Sequence, residues 1–180
     1  MNDQESITLR ALEPDDIELL YDWENNRDIW RISNTQVPFS KYILQKYIEN
    51  SHLDIYQTRQ LRMIIDVVTD SEKRAIGCID LFDFDPVHSR AGIGILIAHK
   101  EDRNQGYASK ALKEIIHYAF NFLHLHQLYC NITSDNKVSL MLFQSAGFCV
   151  VGTKKEWIQG NEGYLDEILL QLIKSKDCTQ

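Results

Sequence analysis

Hydrophobic positions recur along the chain with two different periods. Runs rich in Ile, Val and Leu, typical of strands, are separated by stretches with an apolar residue every three or four positions, typical of helices. Helices are predicted to start at Pro14, at Lys41, at Ala108 and after Asn136, the last ending before Gly147. The predicted strands are Ile7–Ala11, Arg59–Val68, Arg74–Phe84, Ser89–Ile97, Gln127–Thr133, Cys149–Trp157 and Gly163–Ile173.

This order of elements predicts an α/β (mixed α+β) fold in which a twisted mixed central sheet is flanked by helices. We expect a single domain over residues 1–180, with an ordered core over about 6–174. The stretch from Arg27 to Val37 has no regular period and is predicted to be irregular. With the helix over Lys41–Asn50 it is aromatic, polar and loop-rich, so it is a candidate wall for a small ligand, although a packed helical hairpin explains the same pattern.

Composition and charge exclude several classes of protein. The 180 residues carry a formal net charge of −7, whereas nucleic-acid-binding proteins are usually basic. No apolar run is long enough to span a membrane, and the N-terminus is polar and acidic, unlike a signal peptide. The His and Cys residues form neither an H-E-x-x-H nor a C-x-x-C spacing. We therefore expect a cytoplasmic protein that binds no nucleic acid, membrane or metal.

The segment Arg103–Ser109, here called the phosphate loop, lies between a predicted strand and a predicted helix. A helix start has unpaired N–H groups and a partial positive charge, which attract phosphate groups. Gly106 lets a ligand approach the backbone closely, and Arg103 adds a fixed positive charge. The loop is predicted to bind a pyrophosphate, although taken alone the pattern is weak and is more often that of an ordinary capped helix.

Two better-known phosphate-binding loops do not fit the sequence. A P-loop requires Gly-Lys followed by Ser or Thr, which occurs nowhere in the chain. Gly92 and Gly94 begin a G-x-G-x-x-G pattern, but Ile97 stands at the third glycine position and the run is apolar. The pattern that remains is [RQ]-x-x-G-x-[GA], filled by Arg103, Gly106 and Ala108.

A second block, from Asn136 through Ser139 to Gly147 and Phe148, follows the phosphate loop. The two blocks, in this order and at this spacing, resemble motifs A and B of the GNAT superfamily of acetyl-CoA-dependent N-acetyltransferases. Within that superfamily the chain is similar to the branch of ribosomal-protein alanine and spermidine N-acetyltransferases. That branch opens with a strand like Ile7–Arg10 and closes with a segment like Gly163–Ile173.

The resemblance implies a V-shaped opening between the central strands and a site for acetyl-CoA. The pantetheine arm is expected beside the main chain of Ile95, Leu96 and Ile97, where the glycines give access unless they only make room for a neighbouring side chain. Asn136 is expected to contact the pantetheine, although an N-cap role suits it equally. The other implied contacts are Arg103, Asn104, Gln105, Gly106, Tyr107, Ala108, Ser109, Ser139 and Phe143.

Acetyl transfer to an amine needs an oxyanion donor and a proton for the leaving thiolate. The resemblance implies a backbone N–H of the central strand as the oxyanion donor, with Leu96 or Ile97 as the candidate. Many relatives use a Tyr as general acid where this chain has Phe143, which has no proton to donate. The thiolate could leave unassisted or be protonated by water, or its proton could come from Ser139, Tyr129 or Tyr164.

The carboxylates Asp80, Asp83 and Asp85 are the candidates for handling the amine. Such a group could take a proton from an ammonium through water or bind a cationic acceptor, and a solvated strand end explains it as well. Asp80 and Asp83 match acidic positions of spermidine acetyltransferases. Gly92, however, stands where those enzymes tend to have an acid, and Ser33–Pro38 replaces their acidic loop.

The sequence as a whole predicts an acetyl-CoA-dependent N-acetyltransferase that transfers the acetyl group directly in a ternary complex. The expected acceptor is a polyamine, another small amine or a protein N-terminus. An acyl-CoA-binding module without catalysis is the alternative, because Phe143 cannot act as an acid. Relatives imply a homo-oligomer, a dimer or larger.

Overall fold

A computed structural model describes residues 5–33, 35–70, 72–160 and 163–174. The strands are β1 (Ser6–Arg10), β2 (Leu61–Val68), β3 (Lys73–Asp85), β4 (Arg90–Ile97), β5 (Gln127–Thr133), β6 (Cys149–Gly160) and β7 (Gly163–Ile173). The helices are α1 (Ile17–Glu24), α2 (Arg27–Ser33), α3 (Lys41–Glu49), α4 (Ile55–Thr58), α5 (Tyr107–Asn121) and α6 (Lys137–Ser145). The strands form one mixed sheet in the order β1-β2-β3-β4-β5-β7-β6, which confirms the predicted fold class.

Local sequence explains where several helices begin. Pro14 opens a 3-10 turn that leads into α1, as expected for a residue without an N–H to satisfy. The Ser40 hydroxyl accepts the N–H of Ile43 at the start of α3, and the Asp54 carboxylate accepts two N–H groups at the start of α4. Each cap satisfies donors that the helix itself leaves unpaired.

The predicted irregular stretch from Arg27 to Val37 is wrong over its first half, which forms α2. The Asn26 side chain accepts the N–H of Asp28 and so caps this helix. The helix is held by tertiary contacts, because Ile29 is buried and the Trp30 indole N–H donates to the Glu24 carbonyl at 2.7 Å. Parts of the predicted β6–β7 turn and the C-terminal tail lie outside the described residues.

Two hydrophobic cores lie on opposite faces of the sheet. One face packs against α5 and α6 and includes Ala111, Leu112, Leu140 and the inward residues of β3, β4, β5 and β7. The other packs against α1 and α3 through Leu20, Trp23, Leu44 and Ile48. This second layer contacts β2, β3 and the end of β4, so the described helices leave the same face of β5, β7 and β6 uncovered.

The sheet separates in its middle. β4 and β5 run parallel and pair only over Arg90–Gly92 and Gln127–Tyr129, whereas the other neighbouring strands pair antiparallel over longer ranges. Beyond that point β4 continues to Ile97 and β5 to Thr133 without pairing with each other. This gap, here called the strand opening, corresponds to the V-shaped opening that the family resemblance implied. No described helix is both long enough and apolar enough to cross a membrane.

Candidate functional site

The edge of β4 that faces the strand opening carries unpaired backbone groups. Ala98 donates its N–H to Ile76 in β3, and the Leu96 carbonyl oxygen lies against Gly77 of β3. Because N–H groups alternate in direction along a strand, the N–H of Leu96 also points to β3, and those of Ile95 and Ile97 point into the opening. Leu96 is therefore wrongly assigned as the oxyanion donor, and Ile97 or Ile95 has the required orientation.

The two glycines of β4 are present for different structural reasons. A Cβ on Gly92 would clash with the Phe82 ring, so this glycine makes room for a neighbouring side chain. A Cβ on Gly94 would lie 3.7 Å from the same ring, which is ordinary contact. Only Gly94 therefore keeps the alternative explanation of backbone access, and Phe82 covers the backbone at Gly92.

Two residues of the phosphate loop have a left-handed backbone. Asn104 and Gly106 have φ of 62° and 81°, in the left-handed region, and Gly106 is the N-cap of α5. No side chain caps this helix, and a Cβ on Gly106 would have no atom within 4 Å. The start of α5 therefore has open space beside Gly106, and no side chain takes the cap position that a bulky anion would need.

The larger side chains of the phosphate loop are used to hold it in place. Arg103 donates from Nε to the Ile97 carbonyl and from Nη2 to the Ala98 carbonyl, both at 3.2 Å. Tyr107 is buried and its hydroxyl donates to Glu5. The Tyr107 side chain is therefore not a ligand contact, and Arg103 ties the loop to the end of β4 at the strand opening.

Helix α6 begins beside the same opening. The Asn136 side chain accepts the N–H of Ser139 at 3.2 Å, so its N-cap role is confirmed, and its amide N–H groups are not used in that bond. Phe143 is 3% exposed and its ring packs edge-on against Phe148 at 5.1 Å. The ring lies in the core, which contradicts its assignment as a cofactor contact and leaves no hydroxyl at this position.

Asp80 is part of a closed ion-pair cluster. Arg62 donates from Nε and Nη2 to the two Asp80 oxygens, at 2.7 and 2.9 Å, and from Nη1 to Glu24. The Arg62 guanidinium also lies 5.6 Å from the centre of the Tyr47 ring. Burial lowers the pKa of Arg62, but the charge and hydrogen bonds of Asp80, together with Cys78 and Tyr47, outweigh it and hold the pKa well above the usual value. Both Asp80 oxygens are thus engaged by a permanent cation.

Asp83, three residues further along β3, is not bonded to a cation among the described residues. The strand is irregular between Phe82 and Asp85, and Asp83 itself has φ of 48°, a strained value for a residue with a side chain. Asp83 is exposed, and one of its oxygens accepts the Tyr129 hydroxyl at 3.2 Å. No ion pair to Asp83 exists among the described residues, so its charge is available to a ligand.

Tyr129 connects Asp83 to the strand opening. It is the last residue of β5 that pairs with β4, opposite Gly92, and its ring packs edge-on against Phe82 at 6.2 Å. Burial raises the pKa of the Tyr129 hydroxyl, and the Asp83 charge raises it further. The hydroxyl is therefore protonated at neutral pH and can act as a proton donor.

A cleft of about 670 Å³ lies on the uncovered face of the sheet beside this pair. We call it the sheet cleft. Asp85, which lines it, is held by the His88 backbone N–H and side chain, which lower its pKa to about 2. The lining residues are Arg59, Asp83, Phe84, Asp85, Arg90, Gln127, Tyr129, Asn131, Val151, Lys154, Leu169 and Gln171.

Sequence reasoning missed Arg62, Glu24 and Tyr47, which surround Asp80. Arg62 alternates with the apolar residues of β2, and a charged residue inside a strand was the signal that could have found it. Glu24 and Tyr47 lie on helices far away in sequence, so no local pattern connects them. Across the described ranges, no three His, Cys, Asp or Glu side chains are grouped as metal ligands.

The chain is similar to known proteins over most of its length. A family model described as "Acetyltransferase (GNAT) domain" matches residues 6–149, more than half of the chain. The curated spermidine N(1)-acetyltransferase of Vibrio cholerae serotype O1 is 28% identical over 176 residues, covering 98% of this chain and 96% of that protein.

Two solved structures are similar over nearly the whole chain. The crystal structure of spermidine N-acetyltransferase from Vibrio cholerae in complex with CoA and spermine has a TM-score of 0.82 and 26% identity, covering 94% of this chain and 96% of that one. A dodecameric structure of the Vibrio cholerae enzyme in an intermediate state has a TM-score of 0.77 and 27% identity, covering 94% and 95%.

Proposed function

The chain belongs to the GNAT acetyltransferase family, and we propose that it acetylates a polyamine whose reacting ammonium is held by Asp83. The protein is an N-acetyltransferase that takes its acetyl group from acetyl-CoA, which the family match and the named relatives support. The observation that carries the proposal is the exposed Asp83, which forms no ion pair among the described residues and accepts the hydroxyl of Tyr129, the last residue of β5 that pairs with β4.

The donor site in this proposal is built from backbone. The N–H groups at the start of α5 bind the pyrophosphate, and Gly106 leaves room for it. The pantetheine arm lies in the strand opening, where Ile95 and Ile97 offer backbone groups, and the amide of Asn136 donates to it. Arg103 adds positive charge at the loop while bonded to the end of β4.

The acceptor lies in the sheet cleft. A primary amine is an ammonium at neutral pH, and a carboxylate that is not already paired attracts it. Asp83 meets this condition, whereas both oxygens of Asp80 are bonded to Arg62. A polyamine is the first class to test because relatives similar over nearly the whole chain are named for spermidine.

We propose that the acetyl group moves directly from thioester to amine in a ternary complex. A covalent route would need a nucleophile on the protein, and the free cysteines described, Cys78 and Cys130, are both buried. Burial raises the pKa of each thiol to about 12, so neither is a thiolate at neutral pH. The N–H of Ile95, which lies nearer to Asp83 along the sheet than that of Ile97, is proposed to stabilise the oxyanion.

The extent and assembly of the enzyme are also proposals. One acetyltransferase domain over the whole chain agrees with relatives that are covered almost fully. A homo-oligomer agrees with the dodecameric structure of the Vibrio cholerae enzyme.

The test is release of CoA thiol from acetyl-CoA across a panel of spermidine, spermine, putrescine, amino acids and peptides with different N-termini. We expect turnover with polyamines, and intersecting initial-velocity lines when both substrates are varied, as a ternary complex requires. Asp83→Asn should lower this turnover about 100-fold, whereas Asp70→Asn, which removes an exposed charge in the β2–β3 turn, should keep it. Turnover confined to amino acids or peptides would overturn the polyamine assignment, and parallel lines would overturn direct transfer.

A further inference from the structure

We propose that Tyr129 is the general acid that protonates the leaving CoA thiolate, and that Asp83 returns the proton to it. The proposal rests on the function proposed above. It assigns the proton-donating role, for which Phe143 has no hydroxyl, to a tyrosine on β5.

The position of Tyr129 supports this role. It belongs both to the sheet cleft, where the acceptor is proposed to lie, and to the last pair of residues before β4 and β5 separate, where the donor's arm is proposed to enter. The edge-on contact with Phe82, which lies over Gly92, fixes the ring at this junction. The hydroxyl is the only hydrogen-bonding atom that the side chain carries.

The other hydroxyls considered from sequence are less suitable. Tyr164 is 65% exposed and pairs with Gln159 at the outer end of the β6–β7 hairpin, well away from the opening. Ser139 lies in the first turn of α6, and a serine hydroxyl is a much weaker acid than a phenol. Phe143 packs in the core against Phe148. Among the described candidates, Tyr129 alone combines a phenol with a position at the opening.

The Tyr129–Asp83 hydrogen bond completes the path of the proton. The acceptor first loses one proton to water and attacks the thioester carbonyl as a neutral amine, so that an N–C bond forms. The nitrogen, now positively charged, passes a proton to the Asp83 carboxylate. The C–S bond then breaks and the sulfur takes the Tyr129 proton, while Tyr129 recovers a proton from Asp83 through the observed bond. One proton has moved from nitrogen to sulfur, and both residues are restored.

The experiment is a double-mutant cycle on the amine that turns over fastest, with Tyr129→Phe, Asp83→Asn and the double variant. Tyr129→Phe keeps the ring and removes only the hydroxyl. We expect its kcat to fall roughly 10- to 100-fold, with the KM for acetyl-CoA unchanged within about twofold. The double variant should be no slower than Asp83→Asn alone, because two members of one relay are not additive. Tyr164→Phe is the matched control and should keep the full rate.

Each result decides the question. A wild-type rate for Tyr129→Phe, or additive losses in the double variant, would overturn the relay while leaving the acetyltransferase function intact. A loss confined to the KM for acetyl-CoA would also overturn it, because it would indicate a binding role. If the unmodified enzyme turns over no amine, the proposed function fails, and the relay fails with it.

Discussion

Asp80 and Asp83 lie three residues apart on β3, yet they differ in their bonding partners and in their exposure. Asp80 is bonded through both oxygens to Arg62, which also holds Glu24, under the layer formed by α1 and α3. Asp83 is exposed at an irregularity in the strand and accepts a single hydrogen bond from Tyr129. A carboxylate at a family-matched position can therefore be structural, and its partners decide whether it can act on a ligand.

The largest effect is expected from removing Arg62, the cation that is bonded to both Asp80 and Glu24. Arg62→Met should lower the free energy of unfolding by about 3 kcal/mol, because two partly buried carboxylates lose their partner. Urea denaturation measures the change. Arg59→Met, which removes an exposed arginine from the sheet cleft, should change stability by less than about 0.5 kcal/mol. Equal stability of both variants would mean that the cluster is not held by Arg62.

A second change should separate activity from stability. Asp83→Asn should lower turnover about 100-fold and leave stability nearly unchanged, because the exposed carboxylate contributes to chemistry and little to packing. Asp80→Asn should instead cost about 2 kcal/mol of stability, since it weakens a charge-assisted pair. Steady-state rates and urea midpoints measured on both variants test this. A larger loss of turnover in a fully folded Asp80→Asn variant would reverse the assignment.

The third change tests whether the donor site is independent of these carboxylates. Gly106→Asp should weaken acetyl-CoA binding roughly 10-fold or more, because it brings a negative charge to the helix start that is proposed to bind phosphate. Gly106→Asn is the matched control, since it has the same size and tolerates the left-handed backbone but carries no charge. Calorimetric titration with acetyl-CoA measures both. The same affinity in the two variants would remove the phosphate loop from the donor site.

The smallest expected effect is a change in the titration of Tyr129. Because the Asp83 charge adds to the effect of burial, Asp83→Asn should move the pKa of Tyr129 down towards its ordinary value of 10.0, and Asp80→Asn should not. A raised folded-state pKa stabilises the fold below pH 10, and that contribution is lost as the pH rises through the folded-state value. Ultraviolet absorbance titration, with Tyr129→Phe to identify the signal, measures the shift. An unchanged titration in Asp83→Asn would mean that the hydrogen bond is not formed in solution.

The pKa of Tyr47, which the Asp80 charge affects, provides the corresponding measurement for Asp80. Burial raises the pKa of Tyr47 to about 12, and the Asp80 charge contributes to that rise. Asp80→Asn should therefore lower the pKa of Tyr47 and leave that of Tyr129 in place. A shift of both tyrosines in either variant would contradict the separation of the two carboxylates.

Most of the elements, the fold class and the strand–loop–helix order around the phosphate loop could be predicted from the sequence. Hydrophobic period, Pro14, Gly106 and Gly147 act within a few residues of where they stand, so local patterns are sufficient to predict them. The same local information failed for α2, whose helix depends on the buried Ile29 and on the Trp30 bond to Glu24. A contact between residues that are distant in sequence produces no pattern within a short stretch of the chain, so local patterns cannot predict it.

The groups that face the site could be identified only from the tertiary structure. The direction of the Leu96 and Ile97 N–H groups follows from the register with β3, which the sequence of β4 does not contain. The pairing of Asp80 with Arg62, the burial of Phe143 and the bond between Asp83 and Tyr129 each join residues on different elements. Electrostatic state is a property of neighbours in space, so the chemistry of these carboxylates became assignable only when the sheet and its helices were assembled.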